Sequence, residues 1–441
     1  MIGSTQPLNA DVIVVGTGPG GATVARALAR AGKIVLILEQ GQDVRRKFYR
    51  GTYLGHALTT DGRGFITTGE GGLIVRPLTL GGGTDIFAAT AAEPPAWLKA
   101  HYGMDLSQDV AETVDELGIA PLPSDWLGPA STRLAEAAGD LGYEWTPLPK
   151  FMRPARGEMA ACGAHCLLGC RCGAKWHAGE YVDEAVEAGA RLLTGVRVER
   201  VLVEDGHVIG VEGRRGRHHI KAYADVVVLA AGAIGTTRIL HASGFPEAGT
   251  GMTVGVTVVV YGFAERDTHQ GQEPPMTWGW TDPSGELFLS TLVDPWLHYP
   301  RLMGRQGLQH MLSWLRWHRA LGIAVTLRDE ISGGIYPEGH MHKPLTLADR
   351  ERLTRGLELA RRILIRAGAG PDTILTTPWQ GWYPASTVRV DDLVNENLET
   401  EIDDLYVCDA SVLPESLGGP TVLTLIALGR RLARHLCMHE V

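Results

Sequence analysis

Four cysteines lie within eleven residues in the middle of this chain, at Cys162, Cys166, Cys170 and Cys172. Thiolates at positions i, i+4 and i+8 can converge on one inorganic centre when a loop folds them together. Zinc sites more often use two CxxC pairs separated by a long spacer, which this segment lacks. Two interpretations stay open: ligands of a metal or cluster, and reduced structural thiols or a disulfide on the same loop.

A glycine pattern near the N-terminus predicts a dinucleotide site. Residues 11–15 form an apolar run typical of a buried parallel strand, and they lead directly into Gly16-x-Gly18-x-x-Gly21. A helix of small residues and a second strand follow, and that strand ends at Glu39. The glycines allow a tight turn and close approach to a pyrophosphate at a helix N-terminus, and the acid can accept hydrogen bonds from a ribose. Glu39 would repel a 2′-phosphate, which favours FAD or NAD over NADP.

Two later segments repeat parts of this pattern. Residues 80–84, LGGGT, place a glycine-rich turn before a short helix, where backbone can again approach a cofactor. Residues 196–213 alternate like two strands around an Asp-Gly turn, which predicts a hairpin. Residues 226–230 read as a buried strand, followed by small residues and a helix from about Thr236. This second strand–turn–helix unit would complete the nucleotide-binding sheet.

Composition bounds the class of protein. The chain has 441 residues, which is long for one core, so two lobes sharing an interface are expected. A formal charge of −9 argues against nucleic acid as a partner. No secretory signal and no apolar segment of membrane-spanning length is visible, so the sequence predicts a cytoplasmic enzyme.

Residues 251–335 are expected to form much of a substrate lobe. The stretch around 253–265 alternates like a strand of a large sheet, and residues 286–293 are expected to pair beside it. Within residues 300–322 several apolar side chains fall on one helical face, flanked by Arg and Trp. Burial in the core is the favoured interpretation of that face, and peripheral contact with a membrane is the alternative. The many Trp residues around the expected pocket favour a bulky apolar or ring-shaped substrate.

The order of these motifs resembles the glucose–methanol–choline (GMC) oxidoreductases, which are FAD enzymes. The resemblance rests on GTGPGG…LEQG, LGGGT, ADVVVLAAGAIGTTRIL and the C-terminal stretch that begins ETEIDDLYVCDASVLPESLGGPT. CLLGCRCGAKW and PLTLADRERLTRGLELARRILIRAGAG are most similar to the branch of long-chain alcohol oxidases and bacterial sugar dehydrogenases.

The resemblance implies an α/β, bilobal fold in which a Rossmann-type FAD-binding domain carries an inserted α+β substrate domain built on a large antiparallel sheet. Residues 1–93, 155–250 and 388–441 would form the FAD-binding domain, and residues 94–154 and 251–387 the substrate domain. The residues expected to bind FAD are Gly16, Gly18, Gly20, Gly21, Glu39, Gly82, Gly83, Thr84, Val198, Ala231, Gly232, Asp409, Ala410 and Thr421. The sugar-dehydrogenase relatives hold an iron–sulfur cluster at a similar cysteine segment, which implies a 3Fe-4S or 4Fe-4S cluster here.

The sequence departs from the family at the catalytic pair. Members usually place a His base in an H-P-x-G-T/C stretch and a His or Asn in an N-P-x-x-T stretch, whereas Tyr383 and Gly419 stand at the corresponding positions here. A phenol with a pKa of about 10 is a poor base near neutrality. Tyr383, His342 and Glu415 are the candidate catalytic residues, with Tyr383 as a proton donor.

Two hypotheses of function follow. The first is an FAD enzyme that oxidises, desaturates or reduces a bulky apolar or cyclic small molecule and exchanges electrons with the cluster and, through it, with an electron-transfer protein. The second is a catalytically altered flavoprotein that serves as an electron-transfer or non-redox subunit of a complex.

Overall fold

A five-stranded parallel sheet forms the first half of the fold. The computed structural model describes residues 8–157, 163–304, 307 and 312–438. The strands of this sheet follow in the order Leu405–Val407, Val226–Leu229, Val12–Val15, Val35–Glu39 and Arg191–Thr194. The three central strands are buried at every residue, as continuous Val/Ile/Leu runs require of a sheet covered on both faces.

Two helices pack against each other beside this sheet. The helix Pro19–Arg30 follows the first glycine turn directly, and Pro19 occupies its first turn, where a missing N–H costs nothing. The C-terminal helix Val422–Met438 packs against it. A Cβ at Gly429 would lie 2.8 Å from the Gly20 carbonyl oxygen, so the absence of a side chain there permits the close packing.

A second sheet contains the predicted hairpin. Its strands follow in the order Leu8–Asn9, His218–Tyr223, His207–Arg215 and Val196–Glu204. Asp205 and Gly206 between the last two strands have φ angles of 49° and 87°, as a two-residue hairpin turn of this twist requires. The hairpin is therefore confirmed at the expected residues.

A nine-stranded sheet forms the other lobe. Its order is Ile66–Thr67, Leu73–Ile74, Gln380–Gly381, Val256–Phe263, Ala320–Leu327, Leu287–Thr291, Trp278–Thr281 and Thr146–Pro147, with Leu375–Thr376 also paired to Val256–Phe263. Its pairs are antiparallel except the parallel pair of Leu73–Ile74 and Gln380–Gly381. The expected pairing of 286–293 beside the strand around 256–263 was wrong, because Ala320–Leu327 lies between them.

The long helix Leu347–Arg366 packs on this sheet, and Thr346 and Asp349 form a capping box at its start. The other helices are Tyr53–Thr59, Ala96–Tyr102, Ser107–Leu117, Pro129–Gly139, Gly179–Glu187, Gly232–His241 and His298–Met303. Short strand pairs join Ala120–Pro121 with Pro149–Lys150, and Ser332–Ile335 with Thr250–Met252 and Met341–His342. The division into two discontinuous domains stays a prediction.

One segment differs from its expected burial. Leu312 and Leu315 lie on a short 3-10 helix, Leu312–Arg319, and their side chains are 67% and 70% exposed. The expectation of a core helix was therefore wrong for these two residues. Leu308 and Met311 lie outside the described residues. Within the described ranges, every helix is too short or too polar to cross a membrane.

Candidate active site

One cavity of about 690 Å³ opens at the carboxyl ends of the parallel strands. This is the edge of an α/β sheet at which ligands bind, because helix N-termini and loops converge there. Thirteen of the fourteen residues expected to bind a dinucleotide line it: Gly16, Gly18, Gly20, Glu39, Gly82, Gly83, Thr84, Val198, Ala231, Gly232, Asp409, Ala410 and Thr421. Gly21 lies behind the wall, where a Cβ would collide with the Gly16 carbonyl oxygen.

The glycines of the first turn have two different roles. A Cβ at Gly16 or Gly20 would collide with the backbone carbonyl of Ala230 or Cys408, so these positions hold the strands and helix together. A Cβ at Gly18 or Gly83 would meet no atom within 4 Å, although both residues line the cavity. The space in front of Gly18 and Gly83 therefore fits the pyrophosphate of FAD, which needs bare backbone at a helix N-terminus.

Glu39 is fixed in the wall by the first turn. Its carboxylate accepts hydrogen bonds from the Thr17 amide at 3.0 Å, the Thr17 hydroxyl at 2.6 Å and the Gly41 amide at 2.6 Å. Burial raises the pKa of Glu39 above its ordinary value, and these hydrogen bonds oppose the rise. The Thr17 hydroxyl also accepts from the Gly81 amide at 2.9 Å, which ties the LGGGT turn to the same acid.

Asp409 joins the C-terminal segment to the second strand–turn–helix unit. Its carboxylate accepts from the Gly232 amide at 2.9 Å and the Thr236 hydroxyl at 2.5 Å, and its other oxygen accepts from the Ser411 amide and hydroxyl. Burial raises the pKa of Asp409 above its ordinary value. The helix therefore begins at Gly232 instead of near Thr236, because the Asp409 carboxylate, which is distant in sequence, accepts the hydrogen bond of the Gly232 amide.

Two arginines at this end of the cavity were not predicted from the sequence. Arg76 and Arg238 line the wall and lie 3.2 Å and 3.7 Å from the same carboxylate, that of Asp61. These two guanidinium groups supply positive charge at the wall, which suits a diphosphate. No motif marks these residues, since they come from unrelated segments.

The opposite end of the cavity is largely apolar and aromatic. Its lining includes Phe65, Phe87, Leu167, Met276 and Trp382. Tyr383 also lines the cavity, with its ring centroid 6.5 Å from that of Trp382, and burial raises the pKa of its phenol above the ordinary value. Within the described part of the chain its hydroxyl forms no hydrogen bond. Tyr383 therefore faces the cavity as a neutral phenol, which donates a hydrogen bond more readily than it accepts a proton.

Three further titratable residues line this end, and none was anticipated. His56 comes from the helix Tyr53–Thr59, His298 from the helix His298–Met303, and Asp294 from the loop before it. The two imidazole rings lie 5.0 Å apart between centroids. Asp294 accepts a hydrogen bond from the Tyr261 hydroxyl at 2.5 Å, and burial raises its pKa to about 6. No local sequence pattern distinguishes these residues from surface ones.

His342 and Glu415 lie outside this cavity. His342 is about half exposed, and its Nδ1 contacts the carboxylate of Glu70. Glu415 accepts hydrogen bonds from Arg328 at 2.6 Å and from the Tyr102 hydroxyl at 3.0 Å. Both side chains are thus engaged in ion pairs away from the lining residues, which gives their catalytic role no support.

The cysteine segment is only partly described, and Cys162 lies outside the described residues. Cys170 and Cys172 have their sulfurs 3.6 Å apart, beyond disulfide bond length, and Cys166 is a buried thiol. Hydrogen bonding from Cys166 and Cys172 holds the pKa of Cys170 below its ordinary value. Over the described ranges no group of three or more His, Cys, Asp or Glu side chains is arranged to hold a metal ion. The expected cluster therefore gains no support from this geometry.

Comparison with protein families finds matches along most of the chain. The two GMC oxidoreductase domain families match residues 56–258 and 325–429, and a NAD(P)-binding Rossmann-like domain matches residues 14–75. An uncharacterized GMC-type oxidoreductase of Mycobacterium tuberculosis is 32% identical over 60% of this chain and 44% of its own length. A long-chain-alcohol oxidase of Arabidopsis thaliana is 24% identical over 95% of this chain. The chain spans 44% and 66% of the lengths of these two relatives.

Solved structures share the whole fold. Pyridoxine 4-oxidase from Mesorbium loti matches 98% of this chain with a TM-score of 0.74 at 19% identity. Formate oxidase from Aspergillus oryzae matches 99% with a TM-score of 0.70 at 14% identity. At such low identity these likenesses establish the bilobal α/β architecture alone.

Proposed function

This chain belongs to the GMC oxidoreductase family, and we propose that it is an FAD-dependent oxidoreductase whose substrate is a bulky apolar or cyclic compound bound at the aromatic end of the cavity. A single observation carries this proposal: one continuous cavity joins the glycine turns to a pocket lined by Phe65, Phe87, Met276 and Trp382. The relatives include long-chain-alcohol oxidases, whose name gives a long-chain alcohol as the substrate.

The residues of the first end would hold FAD. Gly18 and Gly83 leave room for a pyrophosphate, Glu39 lines the wall where it would accept from a ribose hydroxyl, and Arg76 and Arg238 would supply positive charge. When bound, FAD accepts two electrons together with a hydrogen from a substrate carbon. The chain itself must orient the substrate, exclude water and move the proton, and the aromatic lining provides the first two functions.

Tyr383 is proposed as the group that orients the substrate through its hydroxyl. Its phenol stays protonated, because burial raises its pKa. It can therefore donate a hydrogen bond to a substrate oxygen, or a proton in the reductive direction, and it cannot serve as the base at neutral pH. Gly419 contributes no side chain to the reaction.

Anaerobic reduction of the flavin tests the proposal. Long-chain and aromatic alcohols, such as 1-dodecanol and benzyl alcohol, are expected to bleach the oxidised flavin band in the holoenzyme, and small polar alcohols such as methanol are not. If no apolar compound bleaches the flavin while a protein electron carrier exchanges electrons with it, the chain is an altered electron-transfer flavoprotein, and the substrate proposal is wrong.

The iron–sulfur cluster remains a separate proposal, supported by the spacing of the four cysteines in the sequence. Protein purified anaerobically is expected to contain about three or four irons with acid-labile sulfide. Cys166→Ser is expected to lose the iron and to keep the flavin, and Cys437→Ser, at an exposed thiol, is the matched control. Iron-free protein from iron-replete cells would identify the segment as structural thiols.

The exposed residues Leu312 and Leu315 support a further proposal, that the protein makes peripheral contact with a membrane. The Trp296 and Trp314 rings stack at 5.2 Å, and the Tyr53 hydroxyl accepts from the Leu297 amide at 2.9 Å. These contacts join three segments that expose the apolar side chains of Leu54, Leu58, Trp296, Leu297, Leu312 and Leu315, here called the apolar patch. Arg316 is exposed beside it and suits anionic lipid phosphates.

A further inference from the structure

His56 carries two buried ring nitrogens with no hydrogen-bond partner in the described part of the chain. Its side chain is 3% exposed, yet the residue lines the cavity. Buried polar atoms in folded proteins nearly always have a partner, because an unpaired one destabilises the fold. An unpaired imidazole at the wall of a substrate pocket is therefore best explained by a partner that arrives with the substrate.

The surroundings of His56 keep it neutral. The His298 ring lies 5.0 Å away and is itself flanked by Tyr53 and Phe65, with ring centroids at 5.4 Å and 6.4 Å. Burial and the nearby Arg301 charge lower the pKa of His56 to about 4, and Asp85 opposes this. Burial, His56, Arg301 and His165 lower the pKa of His298 to about 3. A neutral imidazole has one nitrogen free to accept a proton.

Two other polar side chains at this end of the cavity, those of Tyr383 and Asp294, are less suited to receive the proton of a substrate hydroxyl. Tyr383 is a neutral phenol, because burial raises its pKa. Asp294 already accepts the hydroxyl of Tyr261. Among the lining residues that the structure describes, His56 is the one whose two ring nitrogens are both buried without a hydrogen-bond partner.

We propose that His56 is the catalytic base of this enzyme, and that His298 positions its ring. The inference rests on the proposed function, with an alcohol as the substrate. The hydroxyl proton passes to a ring nitrogen of His56, the hydrogen on the carbinol carbon leaves with its electron pair to the oxidised flavin, and a carbonyl forms. Atoms and charge balance, since the flavin is the two-electron oxidant that the family supplies.

Matched variants separate this role from a structural one. His56→Leu removes the base together with its unpaired nitrogens, so we expect unchanged flavin content and an equal or higher Tm. The rate of flavin reduction by benzyl alcohol is expected to fall at least 10²-fold. His298→Phe keeps an aromatic ring beside His56, so the rate of flavin reduction in this variant is expected to fall by no more than about tenfold. His219→Asn, on an exposed strand, is the control and should reduce flavin like the wild type.

A second measurement does not depend on turnover. In ¹⁵N-histidine-labelled holoenzyme, benzyl alcohol is expected to shift the ring nitrogens of His56, which the His56→Leu spectrum assigns, while His219 stays unchanged. If the wild type reduces its flavin and His56→Leu does so equally fast, His56 is not the base and the proposed function still stands.

The remaining outcomes are also decisive. If no alcohol reduces the flavin but benzyl alcohol shifts His56, the ligand contact is supported and alcohol oxidation is wrong. If neither reduction nor a shift occurs, both proposals are overturned. Where His56→Leu fails to fold, His56→Asn provides the same comparison with a polar side chain of smaller volume.

Discussion

At the scale of single residues, two neighbouring glycines in the first turn have opposite surroundings. Gly18 faces open space in the cavity, whereas Gly20 is packed against the Cys408 carbonyl. A side chain at Gly18 therefore occupies ligand space without disturbing the protein, and a side chain at Gly20 displaces backbone.

Gly18→Val is expected to fold with a Tm close to that of the wild-type apoprotein and to bind no FAD. Gly20→Val is expected to lose about 2 kcal/mol or more of unfolding free energy, since it forces a backbone shift in a close-packed core. Flavin absorbance and thermal unfolding of the two variants check this. Full flavin content in Gly18→Val would contradict the placement of the pyrophosphate.

Tyr383→Phe removes one oxygen and keeps the ring that Gly255 accommodates, because a Cβ at Gly255 would lie 2.5 Å from the ring carbon Cδ2 of Tyr383. Flavin content and Tm are expected to stay unchanged. Turnover is expected to fall roughly 10²-fold, because the neutral phenol orients the reacting oxygen. Steady-state kinetics with benzyl alcohol measures this. Undiminished turnover would leave Tyr383 as an apolar part of the pocket wall.

The residues of the cofactor end could be predicted from sequence because most of them lie in short local motifs. Gly16, Gly18 and Glu39 belong to one strand–turn–helix–strand segment whose periodicity is visible in the chain. His56 and Asp294 could not be predicted in this way, since they are about 240 positions apart and only the tertiary fold brings them to one cavity.

At the scale of elements, the helix Tyr53–Thr59 has one side in the cavity, through His56, and another at the surface, through Leu54 and Leu58. Sequence periodicity does not distinguish such a helix from a core helix. The same ambiguity explains the error at Leu312 and Leu315, because an apolar stripe looks alike whether protein or lipid covers it.

The stability of this region is expected to depend on pH. The pKa values of His56 and His298 fall to about 4 and 3 in the folded protein, below the value of about 6.5 in the unfolded chain. Their contribution is fully present above pH 6.5 and is lost as the pH falls through 4 and 3, because the unfolded chain binds protons first. The unfolding free energy should drop by several kcal/mol, on the order of 3 kcal/mol per histidine, between pH 7 and pH 4.

Urea unfolding at pH 7, 5.5 and 4 measures this dependence. The double variant His56→Leu/His298→Phe is expected to show a flatter profile than the wild type. Asp294 acts in the opposite direction, since its raised pKa of about 6 gives stability below pH 4 that is lost as the pH rises through 6. Parallel profiles for the wild type and the double variant would show that the imidazoles are not buried in the neutral form.

At the scale of the whole molecule, the apolar patch and the cavity share one wall. Tyr53–Thr59 contributes to both, so a substrate that partitions into a membrane would have a short route to the pocket. The bilobal architecture itself was predictable, because the motifs that identify it occur in family order. The strand pairing within residues 251–335 was harder to predict. Strands there pair with segments distant in sequence, and an alternating apolar pattern is compatible with several partner strands.

Leu312→Ser/Leu315→Ser is expected to reduce binding to vesicles of phosphatidylglycerol and phosphatidylcholine at least fivefold. Each substitution removes an exposed apolar side chain that an interface would bury. Leu347→Ser, at another exposed leucine outside the patch, is the control. Sedimentation with vesicles measures binding. If the wild type and both variants sediment equally with vesicles, or if none of them sediments, the patch does not bind lipid.

The strand order of the parallel sheet has a consequence for biosynthesis. The strand Leu405–Val407 pairs with Val226–Leu229, Asp409 caps the helix at Gly232, and Val422–Met438 covers the first helix. On the ribosome, the glycine turn emerges long before the segment that completes its pocket. Flavin loading must therefore wait until synthesis has passed residue 421. A nascent chain arrested earlier would expose an unpaired apolar strand edge, a substrate for chaperones and proteases.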